Sequence, residues 1–249
     1  MRHVPAAFLA AATAIPLVSF FHIHMDFSEE ISEDSKQLPS SAPLRLRHLI
    51  FEYSGPAVRS ICDFLLHPRN PAYTQQIERL AIRIDSQSAS YDERILTACA
   101  QTLRHLIINP GDLITIPQLP FVREVEIKVF VGDSRRLPSF FPSNFSQIAS
   151  SLPLVEVITL VFVVEPLYPE VEWADQGPLP ILGPSFMNRV QLLHLRRVRC
   201  KLLERNGFGS MSALLDRFVA AMESKMPGLL GTGNSGVHLG CPIVMSTVF

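Results

Sequence analysis

The chain has 249 residues, of which 47% are hydrophobic and 18% are charged, and its formal net charge is -1 at pH 7. A chain of this length can bury a large core, and its net charge near zero excludes the long-range field that draws strongly basic proteins to DNA or RNA. No apolar run reaches the roughly 18 residues of a transmembrane helix without a proline or a charge, so we expect no membrane span.

The N-terminal segment has two interpretations. Residues 8–25, FLAAATAIPLVSFFHIHM, follow one positive charge at Arg2, and Ala12-Thr13-Ala14 resembles the cleavage site of a secretory signal. The same pattern of apolar residues recurs at residues 145–162, FSQIASSLPLVEVITLVF, where no signal would stand. Both segments read as a short helix, a proline and an alternating strand. We therefore predict that residues 8–25 belong to the fold, and a secreted protein without Met1 to Ala14 is the alternative.

A three-residue apolar pattern recurs along the chain, with one anchor residue followed by two more at the third and fifth positions after it. The intervals between anchors bracket the leucine-rich-repeat length of about 20 to 29 residues, with longer units where a helix or loop is inserted. The matches are Val18/Phe21/Ile23, Leu46/Leu49/Phe51, Ile77/Leu80/Ile82, Leu103/Leu106/Ile108, Val122/Val125/Ile127, Val155/Ile158/Leu160 and Val190/Leu193/Leu195.

These matches predict seven strands, which we expect to form one parallel sheet in chain order. Segments 56–67, 91–102 and 211–225 have helical spacing and would cover one face of the sheet, whereas residues 112–120 have room only for a turn. The predicted fold is α/β, an irregular leucine-rich-repeat-like right-handed solenoid. It forms one domain over residues 1–249, with repeats over 8–230 and an irregular tail over 231–249. The predicted strands are 18–25, 46–53, 77–84, 103–109, 122–129, 155–162 and 190–196.

Two local patterns are weak indications of chemistry. Gly231 to Gly236, GTGNSG, matches a dinucleotide-binding fingerprint, but no strand precedes it and no acidic residue follows at the required distance. His22 and His24 would share one face of a strand, yet no third metal ligand is near them in the sequence. No nucleophile, base and orienting group are linked by the sequence. We therefore expect no cofactor, no metal and no catalytic residue, and an enzyme is the least favoured alternative.

The four cysteines, at positions 62, 99, 200 and 241, show no paired spacing. Disulfides persist mainly in oxidising compartments, and unpaired cysteines are typical apolar core residues. We therefore expect reduced cysteines and an intracellular protein of the cytoplasm or nucleus.

The strand residues between the anchors point away from the helices, and we name this side of the sheet the open face. Its mixed charges favour recognition of an acidic or mixed-charge protein segment by a monomeric chain. Trp173, in the loop 165–176, is a second candidate anchor. The predicted partner-binding residues are His22, His48, Arg79, Arg83, His105, Glu124, Lys128, Trp173, His194 and Arg196.

Two further features leave alternatives open. The run Val161 to Val164 is apolar on both faces, which indicates either burial in a central strand or an exposed adhesive patch. The basic residues between Arg196 and Arg205 indicate either a solvated edge or a patch for an acidic partner, in preference to a nucleic-acid site.

Several strings of the repeat region form a recognisable set: LRHLI at 46–50 and 103–107, FLLHPRNP at 64–71, IERLAIRID at 77–85 and LTACAQTLRHLIINP at 96–110. They resemble the fungal F-box-associated leucine-rich-repeat proteins. The resemblance spans most of residues 8–230 and covers the repeat region, and no segment resembles the helical F-box. It implies the substrate-recognition arm of a ubiquitin ligase, whose repeats choose the substrate. A truncated fragment without independent function is an alternative.

Overall fold

The computed structural model describes residues 20–23, 47–51, 62–63, 65–67, 74–84, 89–110, 115–131, 147–164, 193–205, 216, 218–220 and 244–248. The chain divides into two compact units, Met1–Val122 and Arg123–Phe249, and the single domain stays a prediction. Each unit is an α/β arrangement in which neighbouring strands are parallel.

In the first unit, four strands lie side by side in chain order. Parallel neighbours cannot be joined by a tight hairpin, so each connection must cross over the sheet. Helix α1 supplies this crossover between the third and fourth strands, and residues 62–63 and 65 are helical before the third. The elements are β1 Phe20–Ile23, β2 His48–Phe51, β3 Arg79–Ile84, α1 Ala89–Cys99 and β4 His105–Pro110.

The second unit repeats this arrangement with longer strands. Its strand Val157–Val164, VITLVFVV, consists almost wholly of β-branched and aromatic residues, which favour a pleated and buried strand. Residues 147–151 are helical before this strand, and residues 216 and 218–220 are helical before the last. The strands are β5 Glu124–Val131, β6 Val157–Val164, β7 Arg197–Arg205 and β8 Val244–Val248.

The apolar pattern predicts the first six strands correctly within the described residues. Each observed strand begins two residues after its predicted start, because the first anchor precedes the hydrogen-bonded ladder. All three anchors of β3, β4, β5 and β6 are at most 1% exposed: Ile77/Leu80/Ile82, Leu103/Leu106/Ile108, Val122/Val125/Ile127 and Val155/Ile158/Leu160.

The prediction of the seventh strand over 190–196 is wrong. Residues 193–194 form a turn, and β7 begins at Arg197 with Ile158 of β6 opposite Val198. The predicted anchor Leu193 is 82% exposed. The correct triplet starts at Leu195, five positions after Val190. The apolar pattern fits both starting points because the region is rich in apolar residues. The prediction of an irregular tail also differs from the structure, since residues 244–248 form β8 beside β7.

Helix α1 covers the anchor face of the first unit with one of its sides. Ile95, Leu96 and Cys99 are each 0% exposed, and their spacing places them on one stripe of the helix. Asp92 in the first turn is also buried, where the helix dipole favours a carboxylate. After the helix, the Thr102 hydroxyl donates to the Ile77 carbonyl at 2.9 Å, which joins the helix end to the entrance of β3.

Aromatic packing covers the same face of β6 in the second unit. Phe218, from the helical residues 218–220, contacts Phe162 with ring centroids 5.0 Å apart and planes inclined by 59°. Both side chains are 0% exposed. Tilted aromatic pairs of this kind are favourable beyond the area that they bury.

A charged residue immediately before most described strands links that strand to its neighbour. The Glu78 carbonyl accepts hydrogen bonds from the amides of both Arg104 and His105, at 2.8 and 3.0 Å. The Glu156 carbonyl does the same for Arg196 and Arg197, at 2.8 and 3.1 Å. We name these charged residues the edge ladder: Arg47, Glu78 and Arg104 in the first unit, and Arg123, Glu156 and Arg196 in the second.

The side chains of the edge ladder alternate in charge and form ion pairs. Arg47 Nη1 lies 3.7 Å from Glu78 Oε1. Glu156 is shared between two arginines, since it pairs with Arg123 and lies 4.0 Å from Arg196 Nη1. These pairs join neighbouring strands at their N-terminal ends, so they favour the observed register.

Replacing Leu106 by alanine removes a fully buried anchor, and we expect it to lower the free energy of unfolding by about 2 to 5 kcal/mol. Leu193→Ala is the matched control, because this leucine is 82% exposed and its loss should stay within about 0.5 kcal/mol. Chemical denaturation measures both. Equal effects of the two substitutions would contradict the assignment of the core.

Glu156→Gln removes one carboxylate from two ion pairs while keeping the side-chain shape. Because Arg123 and Arg196 are both more than half exposed, we expect a loss of only about 0.2 to 1 kcal/mol in unfolding free energy. High salt should shrink this difference by screening the pairs. Glu93→Gln, at an exposed position of α1, is the control and should change nothing. A loss that salt does not reduce would show that the ion pairs are not its cause.

Candidate functional site

Three nitrogen-bearing side chains stand next to one another on the open face of the first unit. The strand register places His48 opposite Arg79 and Arg79 opposite His105. Adjacent strands are about 4.8 Å apart, so Arg79 lies between two imidazoles. All three residues are half-buried. We name His48, Arg79 and His105 the histidine-arginine row.

Arg79 is unusual in its surroundings. Its Nε atom is buried and has no hydrogen-bond partner. Among the ion pairs of the described residues, none involves its guanidinium. Arginine keeps its charge in proteins, and a charge that has lost water without gaining a partner costs free energy. Arg79 therefore carries a positive charge that no carboxylate pairs with among the described ion pairs.

The next register row along these strands is apolar, and two of its three residues are buried. Ala81 lies between Ile50 and Ile107 in the register. The alternation of the strand predicts that Ala81, Ile107 and Asn109 are exposed on the open face, but all three are buried. Ala81 has a short side chain between two longer ones, which shields it from solvent. Among the described side chains of this face in the first unit, the accessible ones are therefore the histidine-arginine row and Ile50.

The open face of the second unit carries three columns of different character. The β5 column is mainly acidic, the β6 column is apolar apart from one threonine, and the β7 column is basic. The columns are Glu124, Glu126 and Lys128; Val157, Thr159 and Val161; and Arg197, Arg199 and Lys201.

One ion pair bridges two of these columns. Lys201 Nζ lies 3.5 Å from Glu126 Oε2, across the intervening β6 strand. Thr159 lies under this bridge, in the register row of Glu126, and is buried. Arg197 is exposed and Arg199 is half-buried, and neither takes part in an ion pair among the described residues. The free part of the basic column is therefore its N-terminal end.

The apolar run on β6 is buried on both faces. Val161, Phe162 and Val163 are 5%, 0% and 3% exposed. Of the two alternatives for this run, the structure shows burial, and the alternative of an exposed adhesive patch is wrong for these three residues.

Two predicted site residues lie elsewhere than expected. The pattern places His194 and Arg196 on the open face of a strand, whereas both precede β7. His194 is exposed in a turn, and Arg196 belongs to the edge ladder. The error has the same physical origin as the misplaced seventh strand. The face positions belong to Arg197, Arg199 and Lys201, which the sequence identifies as a basic cluster but not as part of the site.

The remaining predicted residues stay predictions. Glu124 is exposed on β5 and Lys128 is half-buried two positions later. His22 lies in β1 and Arg83 in β3, opposite Asn109, but their side chains lie outside the described part of the chain. Trp173, His24 and the glycine-rich segment 231–236 also lie outside the described residues.

The described cysteines are all buried. Cys62, Cys99 and Cys200 form no disulfide. Burial raises the pKa of the Cys99 thiol to about 12. Burial, together with the nearby Asp92 carboxylate, raises the pKa of the Cys62 thiol far above its usual range. Because the thiolate is the reactive form, neither group is suited to act as a nucleophile.

Within the described ranges, no three or more His, Cys, Asp or Glu side chains are grouped so that they could hold a metal ion. The helices of the described residues include none that is long and apolar enough to cross a membrane.

Comparison with models of protein families finds none that matches this chain, and a search of curated proteins also finds no match.

The raised thiol pKa values predict slow alkylation. We expect iodoacetamide at mildly alkaline pH to leave Cys62 and Cys99 unmodified in the folded protein, because burial suppresses the thiolate. Peptide mass spectrometry measures the modification, and the same peptides labelled in urea are the control. Rapid labelling of either residue in the folded protein would contradict the buried assignment.

Proposed function

We propose that the chain is a non-enzymatic protein-protein interaction module that acts inside the cell. It is built as an irregular leucine-rich-repeat-like right-handed solenoid, and its open face binds an acidic or mixed-charge segment of another protein. The observation that carries the proposal is the second unit's open face, where an apolar column lies between a mainly acidic and a basic column.

Three features of the strands support the repeat architecture. Neighbouring strands are parallel and in chain order within each unit, helical residues stand in several of the connections, and the same anchors are buried in successive strands. Parallel strands joined by a crossover connection are right-handed in about 98% of cases. In repeat proteins, strands stacked in this way present an extended face that is commonly used for binding.

The chemistry of the open face suits a protein partner. In one register row of the second unit, half-buried Val157 has exposed Glu124 on one side and exposed Arg197 on the other. Protein interfaces combine an apolar centre with a polar rim, and charges at the rim steer the encounter and select the partner. A partner segment would place an apolar side chain over Val157 and an acidic one beside Arg197.

The resemblance to fungal F-box-associated leucine-rich-repeat proteins adds a cellular setting to the proposal. In that setting the bound segment belongs to a substrate of a ubiquitin ligase, and the chain acts as a monomeric recognition arm. Capture of the ligase adaptor together with the substrate would support this part of the proposal, and its absence would leave a binding module without the ligase.

Charge reversal at Arg197 tests the binding face. We expect Arg197→Glu to weaken association with a stoichiometric partner about tenfold, which corresponds to about 1.4 kcal/mol, because it repels an acidic segment. Thermal stability should change little, since Arg197 is exposed. Affinity capture with quantitative mass spectrometry identifies the partner, and titration of that purified partner measures the affinity.

Arg94→Glu is the matched control, because it makes the same charge change on the exposed side of α1, away from the open face. We expect the partner to bind this variant as well as it binds the unaltered chain. Equal binding by all three proteins would move the site away from the open face, and the absence of any stoichiometric partner would contradict the binding module itself.

A further inference from the structure

We infer that the histidine-arginine row binds one carboxylate group, supplied by an aspartate or glutamate side chain of the partner segment. This inference rests on the proposed function and assigns a specific contact to the first unit. Its starting point is the register that places Arg79 between His48 and His105 on adjacent strands.

Arg79 differs from the other arginines whose contacts are described. Arg47, Arg94 and Arg123 each pair with a carboxylate of the chain. Arg104 lies over the Phe121 ring, with its guanidinium carbon 4.9 Å from the ring centroid, and also donates to the Phe121 carbonyl. Arg79 has neither kind of contact among the described residues, although it is half-buried and its Nε is shielded from solvent.

We expect the anion that pairs with the Arg79 guanidinium to come from outside the chain. A partly desolvated guanidinium attracts an anion more strongly than an exposed one does, because the local dielectric constant is lower. With Nε enclosed, the terminal Nη groups are the donors that remain for a ligand. Two parallel N–H donors fit the two oxygens of a carboxylate, which gives the contact direction as well as strength.

The neighbouring residues favour a carboxylate side chain over a small inorganic anion. His48 and His105 stand one strand spacing, about 4.8 Å, to either side of Arg79, so the row has room for one oxyanion with an imidazole on each flank. The adjacent row of Ile50, Ala81 and Ile107 is apolar. The methylene groups of a glutamate can contact the half-buried Ile50 in this row, whereas free phosphate has nothing to place there.

A short peptide tests this contact directly. The probe is an acetylated and amidated peptide of alternating glycine and glutamate, and the same peptide with glutamine is the neutral control. We expect the glutamate peptide to shift the ring resonances of His48 and His105 in nuclear magnetic resonance spectra, assigned by His→Gln substitution, in a saturable manner. The rings of His67 and His194 should not shift, and the glutamine peptide should have no effect.

Substitution of Arg79 separates binding from folding. We expect Arg79→Met to abolish the shifts and to leave the melting temperature unchanged or higher, since it removes a half-buried guanidinium whose enclosed Nε has no hydrogen-bond partner. Arg79→Lys keeps the charge but loses the paired donors, and it should weaken binding several-fold. Arg94→Met, which removes an exposed and paired arginine of the same unit, should bind the peptide normally.

Three results would overturn the inference. These are histidine shifts that persist in Arg79→Met, a melting temperature that falls in Arg79→Met as far as in Leu106→Ala, and saturation by inorganic phosphate at lower concentration than by the glutamate peptide. The last result would assign the row to phosphate. If the histidine rings do not respond while partner capture still depends on Arg197, this inference fails and the proposed function stands.

Discussion

The two hydrogen bonds accepted by one backbone carbonyl at the entrance of a strand are the constraint on which the rest of the structure depends. The carbonyls of Arg47, Glu78, Arg123 and Glu156 each receive two amides from the strand that follows. Side chains alternate between the two faces of a sheet, so a slip of one residue would exchange the buried anchors with the charged residues. The register therefore decides both what is buried and what the open face presents.

Burial and charge act together at the entrances of the strands. Each edge-ladder residue follows an anchor directly in the sequence. The anchors Ile77, Leu103, Val122 and Val155 are buried, while the charged side chain that follows each of them lies at the strand entrance. The ion pairs of the ladder are exposed and individually weak, so the anchors supply most of the stability. The charges favour the observed register instead, because a shifted strand would separate Glu156 from its two arginines.

The sequence predicts the first six strands because their anchors recur at the same spacing, and the anchors of β3 to β6 are buried. It misplaces the seventh because apolar spacing alone does not distinguish Val190 from Leu195. A charged residue follows every correct anchor from Leu46 onward, and Arg196 follows Leu195, whereas Gln191 follows Val190. The strand β8 is not predicted because the register places Met245 and Thr247 on the anchor face, and threonine breaks the apolar pattern.

The candidate site is predictable only where alternation along a strand is sufficient. Alternation alone predicts that His48, Arg79 and His105 share a face, and the register aligns them. It does not predict the burial of Ala81 and Ile107, nor the position of Arg197, which depends on a correct strand start. The lack of a partner for Arg79 Nε is a property of the packed chain and has no signal in the sequence.

The shared carbonyls also limit which substitutions the chain can tolerate. Each of them needs an amide hydrogen on two consecutive residues, for example Glu156 and Val157 or Arg196 and Arg197. Proline has no such hydrogen, and although the chain contains 20 prolines, none occupies one of these donating positions. Substitution at these positions is therefore restricted by the backbone even where the side chain is exposed, as it is at Arg197.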